Sequence, residues 1–374
     1  MSEKIYSSEK RRARRLRKKV RVFLFAGAES HEGEIVDISQ TGVRILSTAT
    51  KPAGEEIEVE ISGPSDKLRL PAIVCWQREF SRAGSKWRSE CGMRFASEHP
   101  DLPDFLFNHR GKPLSGYLDR ISTIPIIILD LMAMLNDSRI SMQEITKKIS
   151  VDQVLVAYLL KVINSPLYGF HATINSISQC VSLLGYNNLK SLFMSYFTQQ
   201  LSNIAGDKKI RESLWRHALY SALLARECAR RQNLQEEEAY IAALLHDIGK
   251  PILIMLDSQL YQEALTLSLK EKRPLIEVEK ELFGYSHDVL AGYLMYKWNL
   301  NILYSEAANF HHLPQEYLGT DRIILNTALA NALAHAALDE GDPVPEEYWQ
   351  KAGIDPAESE EIVAAIKPDI DSLF

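Results

Sequence analysis

Asp37-Ile-Ser39-Gln-Thr-Gly42 is a compact polar turn, and the reading of the whole N-terminal region follows from it. Apolar-alternating segments flank it on both sides, Gly33–Ile38 and Gly42–Leu46. Such a pattern has the period of strands. Upstream, Val22-Phe-Leu-Phe-Ala26 reads as a first strand. Downstream, Glu56-Ile-Glu-Val-Glu-Ile61 alternates strictly, with charge on one side and apolar groups on the other. Leu68–Phe80 and Trp87–Phe95 follow, and glycines at 54, 63, 84 and 92 punctuate the turns. A half-dozen short strands between Arg21 and about Phe95 predict a small closed antiparallel β-barrel, with bounds 22–97.

About twenty residues before the turn lies KRRARRLRKKVR, residues 10–21, in which nine of twelve side chains are Lys or Arg. The formal net charge of the 374-residue chain is -6, so a concentrated positive arm precedes an acidic body. A protein basic throughout would suit non-specific nucleic-acid binding. A local basic arm instead favours a local anionic ligand, or an arm that folds back on its own protein. Arginine forks bind phosphate oxygens bidentately and the O6/N7 edge of guanine. Asp37 and Ser39 lie two apart at a strand end, so both side chains point the same way. A carboxylate there can accept from the N–H groups of guanine. Gly42 lets a ligand or the arm approach the backbone closely, and permits unusual dihedrals.

Arg11 and Arg15 form an R-x-x-x-R pair, and Asp37, Ser39 and Gly42 form D-x-S-x-x-G. Together these resemble the PilZ family of cyclic di-GMP receptors over roughly residues 8–97. Ala72-Ile-Val-Cys-Trp76 and Cys91-Gly-Met-Arg-Phe95 resemble the later strands of that family. The resemblance implies cyclic di-GMP as ligand, with Arg11, Arg15, Asp37, Ser39 and Gly42 as its binding residues. The register stays open, because Arg17 and Arg21 form a second R-x-x-x-R. The plainer reading is a solvated arm that binds nucleic acid or anionic lipid directly. It leaves DISQTG unexplained, and an arm without interleaved aromatics is a poor reader of single strands.

Residues 98–115 hold three prolines and carry neither periodicity, so a linker is placed there. From Ile121 the period becomes helical. Ile124–Leu135, Val151–Asn164, Ile174–Leu184, Asn188–Leu201, Arg211–Arg231, Glu236–Ile248, His287–Asn299, Ile302–His312 and Ile323–Leu338 read as helices, with Gly185 as a break. Ser141-Met-Gln-Glu144 has the form of a capping box. An all-α domain over 116–320 is expected, then a helical extension over 321–374 whose tail could dock as a last helix. The fold class is therefore multidomain β + α. The four cysteines are scattered, with no CxxC, which fits a reducing interior. The best membrane candidate, Ile124–Leu135, is interrupted by Pro125 and Asp130. The arm followed by Val22–Ala28 resembles a short signal peptide with an A-x-A site, but reads better as the first strand of the barrel. The location expected is cytoplasmic.

The helical domain carries an ordered series: His217 in LWRHAL, His246 and Asp247 in LLHDIGK, His287 in GYSHDVLAG, then His311-His312. Imidazoles mixed with a carboxylate suit a first-row transition metal such as Mn, Fe or Zn, often as a dinuclear centre. Such a centre activates water for attack on phosphorus, and Lys250 could hold a phosphate. LLHDIGK is similar to the signature of the HD phosphohydrolase superfamily. More narrowly, Asp119–His312 resembles the HDOD family, on Asn164-Ser-Pro-Leu-Tyr-Gly169, Leu183-Leu-Gly185, LWRHAL, LLHDIGK and Trp298–His312. That resemblance implies a non-catalytic signalling module acting through an unidentified protein partner. Two departures bear on activity: Asn331 stands where the superfamily usually has a final aspartate, and the Gly-Tyr-Pro element of cyclic di-GMP phosphodiesterases is absent. His246 and Asp247 as satisfied polar groups between helices, with Gly249–Pro251 as a helix stop, is the structural alternative. Trp215, Trp298 and Tyr168 read as core aromatics. The expected function is a cyclic di-GMP-binding effector in which the barrel and arm regulate an HDOD module. The alternative is a metal-dependent HD-type phosphohydrolase regulated by the barrel.

Overall fold

The computed structural model describes residues 20–373, apart from 28, 64–65, 81–84, 110–111, 115–122, 138, 166–167, 169–172, 204–206, 299, 318 and 339–342. Two compact units are present. The first takes in the described part of Met1–Asp119 together with Phe283–Tyr285, and the second is Arg120–Leu282 with Ser286–Phe374.

The first unit is a closed six-stranded antiparallel barrel. Its strands are β1 (Arg21–Ala26), β2 (Glu29–Ser39), β3 (Gly42–Ser47), β4 (Glu56–Ser62), β5 (Lys67–Glu79) and β6 (Ser89–Phe95). They close in the order β1-β2-β3-β6-β5-β4. Closure pairs every edge, which is how so small a sheet avoids exposing unpaired backbone. Val22, Leu24, Ile35, Ile45, Val59, Ile61 and Val74 fill the interior. Glu60 breaks the charge-out pattern of β4, since it is buried. Lys67 and Arg69 compensate by donating to its carboxylate at 2.9 and 2.8 Å.

One irregularity decides where Asp37 points. The β2–β3 register shifts between Ile35 and Asp37, which makes Val36 a bulge. Ile35 and Ile38 are both core residues although they are three apart. Unbroken alternation would put Asp37 on the inward face with Ile35. The extra residue flips the parity, so Ile38 turns inward and Asp37 takes the other face. After β6 come a short helix α1 (Leu102–Leu106) and a small hairpin, β7 (Asn108–His109) with β8 (Lys112–Pro113).

The second unit is all helical. Its helices are α2 (Thr123–Asn136), α3 (Met142–Ile149), α4 (Gln153–Ile163), α5 (Ile177–Ser202), α6 (Lys208–Arg231), α7 (Glu236–Leu245), α8 (Gly249–Leu256), α9 (Ser258–Glu271), α10 (Leu275–Phe283), α11 (His287–Lys297), α12 (Ile302–Phe310), α13 (Arg322–Ala337), α14 (Glu346–Ala352) and α15 (Ser359–Leu373). Phe283, the last residue of α10, belongs to the first unit. Ser141 and Glu144 form the reciprocal capping box. Gly185 breaks α5 with φ 70° and ψ 176°, a conformation for which glycine is suited. Trp298 meets Phe197 edge-on with ring centroids 5.0 Å apart.

The structure differs from expectation in three places. Helices α9 and α10 have no counterpart among the segments read as helical. Gly249–Pro251 opens α8 rather than stopping a helix, and the chain breaks at the turn 246–248. The apolar run that is long enough to cross a membrane by length and composition is Glu236–Leu256, not Ile124–Leu135, and 89% of its most apolar window is buried inside the protein. That degree of burial is what the core helices of a packed bundle show.

Candidate functional sites

On the barrel, Asp37 ends up buried beside a run of charges that crosses four strands. Arg44, its cross-strand partner, donates from Nε to Asp37 Oδ2 at 2.6 Å and brings a second nitrogen to the same oxygen at 2.5 Å. Its third nitrogen donates to Glu90 at 3.1 Å, and Glu90 in turn accepts from Arg78 at 2.7 Å. Asp37 and Glu90 are nearly inaccessible, whereas Arg44 is 20% and Arg78 61% exposed. Acids lie underneath and guanidinium groups lie on top, which is an arrangement that presents donors outward.

Ser39 closes the turn itself. Its hydroxyl donates to the Gly42 carbonyl at 3.2 Å and accepts from the Thr41 N–H at 3.4 Å. Gly42 has no left-handed φ. What requires glycine is proximity, because a Cβ there would stand 2.4 Å from the Met93 carbonyl oxygen on β6. Arg11 and Arg15 lie outside the described residues.

In the helical unit, five imidazoles from four separate elements converge on one carboxylate. Asp247 sits in the turn between α7 and α8, and that turn packs tightly against the start of α11. A Cβ on Gly249 would meet the His287 carbonyl oxygen at 2.0 Å, so only glycine allows the approach. Around Asp247 stand His217 from α6, His246 at the end of α7, His287 at the start of α11, and His311 and His312 after α12. The donor atoms of Asp247, His287, His311 and His312 lie within 4.8 Å of one another, and so do those of His217, His246 and Asp247. All six side chains predicted from sequence as metal ligands are thus brought together, with Asp247 shared between two halves.

Three of the outer ring atoms are tied down, whereas His217 Nδ1 is buried without a hydrogen-bond partner. His246 Nδ1 faces the Ala243 carbonyl at 2.5 Å, His311 Nδ1 faces the Ala308 carbonyl at 2.6 Å, and His287 Nδ1 faces the Glu279 carboxylate at 2.6 Å. This is the anchoring that metal-binding imidazoles require, with Nε2 left to point at the centre. Burial drives His311 down to about 3 and His335 down to about 4. It also holds His217 and His312 well below the ordinary histidine value. Neutral imidazole is the ligand form. Burial pushes His287 the same way, but the Glu279 carboxylate overcomes it and lifts the group to about 9. Asp247 is held well below the usual carboxylate range: burial opposes this, and His246 and Lys250 outweigh it.

Sequence reasoning missed Glu279. It is fully buried on α10, and its second contact is with the His287 N–H at 2.8 Å. The eight-residue separation from His287 is no recognisable pattern, and Glu277, Glu279 and Glu281 look alike in the sequence. His335, whose ring lies 4.3 Å from that of His217, was also not singled out. The donor set fits a transition metal, and one observation of the structure favours it. Asp247 Oδ1 and His311 Nε2 are buried with no hydrogen-bond partner. Such atoms cost about 1–3 kcal/mol each when nothing meets them.

In one chain, a barrel bearing D-x-S-x-x-G precedes a helical unit with a histidine–aspartate centre. The HDOD domain family matches residues 121–314, and the PilZ domain family matches residues 9–105. The chain belongs to the HDOD family and carries a PilZ domain ahead of it. An uncharacterised protein of Treponema pallidum (strain Nichols) is 24% identical over 224 residues, which are 58% of this chain and 43% of that protein. The chain thus spans less than half the length of that curated relative. An HDOD domain protein of unknown function from Geobacter sulfurreducens superposes with a TM-score of 0.59 at 25% identity, covering 70% of this chain and 98% of that one. A Shewanella amazonensis SB2B protein, described as a candidate phosphohydrolase, gives a TM-score of 0.55 at 21% identity over 69% and 95% of the two chains. The Shewanella likeness speaks for the fold alone.

Proposed function

We propose that this protein is a cyclic di-GMP effector, in which nucleotide captured by the barrel and the basic arm biases an HDOD module that acts through a protein partner. The observation that carries the reading is the buried Asp37, turned outward by the Val36 bulge and set beside the Ser39 turn. Arg11 and Arg15 supply forks for phosphate and for the guanine edge, Asp37 accepts from guanine N–H groups, and Ser39 and Gly42 shape the floor beneath. Closing the arm over a nucleotide changes which surfaces the arm and barrel present. The bias on the HDOD module equals the difference in ligand affinity between the two arrangements, and no more. A cytoplasmic location is part of this proposal. Titration calorimetry on the intact chain tests it. Binding of cyclic di-GMP is expected, weakened by about 10–100-fold in Arg15→Ala and in Asp37→Ala. Absence of binding to the wild-type chain overturns the reading.

The orphaned Asp247 Oδ1 and His311 Nε2 favour a second reading, a metal centre in the helical unit. A divalent Mn, Fe or Zn ion would be held by ligands drawn from His217, His246, Asp247, His287, His311 and His312, and such an ion supplies Lewis acidity and an activated water. Hydrolysis of a phosphodiester is the activity this allows. Metal analysis of the purified chain, with hydrolysis assays under added Mn²⁺ or Fe²⁺, tests it. Bound metal without turnover leaves the metal structural.

A further inference from the structure

The two halves of the histidine centre carry the same kinds of side chain but differ in whether the atoms that face the centre are already satisfied; the unpartnered Nδ1 of His217 points away from it. In the first half, Asn331 Oδ1 lies 2.9 Å from His217 Nε2 and 3.2 Å from His246 Nε2. Amide oxygen and nitrogen exchange places by a simple flip, so an NH₂ group at that position can donate to both imidazole lone pairs. An aspartate there could not, since a carboxylate is acceptor only. Asp247 Oδ2, which faces this half, is taken up by the Lys250 ammonium at 2.5 Å. Lys250 is itself buried, so its charge is delivered without a shell of water. A neutral amide and a fixed cation therefore close the first half from within.

In the second half two of the four centre-facing atoms, His311 Nε2 and Asp247 Oδ1, confront each other unsatisfied, while His287 Nε2 and His312 Nε2 lie within hydrogen-bond distance of one another. His311 Nδ1 lies at hydrogen-bond distance from the Ala308 carbonyl, an arrangement in which Nε2 carries a lone pair. That lone pair faces Asp247 Oδ1 at 3.4 Å, and neither atom has a hydrogen-bond partner. Two buried acceptors at that distance repel each other, and a cation between them converts the repulsion into attraction. His287 Nε2 stands 3.2 Å from the same Oδ1 and 3.0 Å from His312 Nε2. Ligands held about 2.0–2.1 Å from a tetrahedral ion lie about 3.3 Å from each other, which is the scale of these separations. Charge agrees with geometry. Asp247 is the one carboxylate that faces both halves, and Lys250 already offsets it, so two divalent ions would leave the buried centre heavily positive.

We infer that the centre is mononuclear, taking one divalent transition metal on Asp247 Oδ1, His287, His311 and His312, while Lys250 and Asn331 stand in place of a second ion. The inference rests on the metal reading above and adds to it the stoichiometry and the half that is used. Three imidazoles and one carboxylate suit Zn²⁺ as the probe.

Zinc content and affinity of the full chain, stripped with chelator and reloaded, test the inference by elemental analysis and calorimetry. One equivalent is expected in the wild type. His217→Ala is expected to keep that equivalent with affinity within about threefold. His311→Ala is expected to lose it, and His312→Gln to weaken it by tenfold or more, since removing one ligand of four costs at least the roughly 1.4 kcal/mol that a tenfold change represents. His312 is only half-buried, so its variant carries the test if His311→Ala fails to fold by circular dichroism. The double variant Lys250→Met with Asn331→Asp is expected to take a second equivalent. Two equivalents in the wild type overturn the inference and leave the metal reading standing, as does zinc lost in His217→Ala but retained in His312→Gln. Zero equivalents in the wild type remove both.

Discussion

The two candidate sites solve the problem of a buried carboxylate in opposite ways. Asp37 on the barrel is paired with a guanidinium that reaches the surface, and the charges alternate outward from Asp37 through Arg44 and Glu90 to Arg78. Nothing is missing there, and the outermost groups are free to exchange partners with a ligand. Asp247 in the helical unit is enclosed by imidazoles and the Lys250 ammonium, and one of its oxygens faces a lone pair. The first arrangement is complete and exposed, suited to a ligand that comes and goes. The second is incomplete and enclosed, suited to an ion that stays.

The sharpest way to break this comparison is to remove the barrel charges one at a time. Each charge-assisted hydrogen bond carries about 1.5–3 kcal/mol. Arg15→Ala and Asp37→Ala are each expected to weaken cyclic di-GMP binding by about 10–100-fold, read by calorimetry, with zinc content unchanged. A variant that loses both ligands together would show that the sites are not independent.

Next in size is Gly249→Ala. A methyl 2.0 Å from a backbone oxygen cannot be accommodated by a side-chain adjustment, so α8 and α11 must part. Overpacking of this kind costs about 1–3 kcal/mol. A lowered melting temperature and weaker zinc binding are expected together, with nucleotide binding retained.

Acid titration tests the enclosed site without mutation. Unfolding releases His311 and His335 from about 3 and about 4 to their ordinary value near 6.5, so the unfolded chain takes up protons below that value. Their contribution is present above pH 6.5 and is lost as pH falls toward 4 and 3. His287, raised to about 9, acts in the opposite sense. It stabilises fully below about 6.5 and ceases to do so as pH rises through 9. In chelator, the urea midpoint of the helical unit is therefore expected to peak near neutrality and to fall on both sides. Zinc should flatten the alkaline limb, since the metal favours deprotonated His287. The smallest effect sets the scale: Ser141→Ala removes a helix cap remote from both centres and is expected to cost about 1 kcal/mol, with both ligands unaffected.

Much of this was legible in the sequence. The six barrel strands follow from two-residue alternation, and the capping box and the Gly185 break follow from local rules. The six metal-ligand candidates and Asp37 could be chosen by residue type and motif. Helix α9 escaped because its polar and apolar residues give no clean stripe, whereas the nine-residue α10 has apolar residues at helical spacing and is short enough to be passed over.

The sequence by itself determined most of the elements, the two-part order of β then α, and which residues are candidates for the two sites. These depend on side-chain period and residue chemistry, which act over a few positions. Tertiary structure alone decided that Glu279 anchors His287, that Lys250 turns onto Asp247, and that Asn331 closes one half of the centre while the other stays open. It also decided that Gly42 serves the passage of β3 beside β6. Each of these is a meeting of atoms from distant parts of the chain. Such meetings follow from how faces pack and registers align, and no local pattern encodes them.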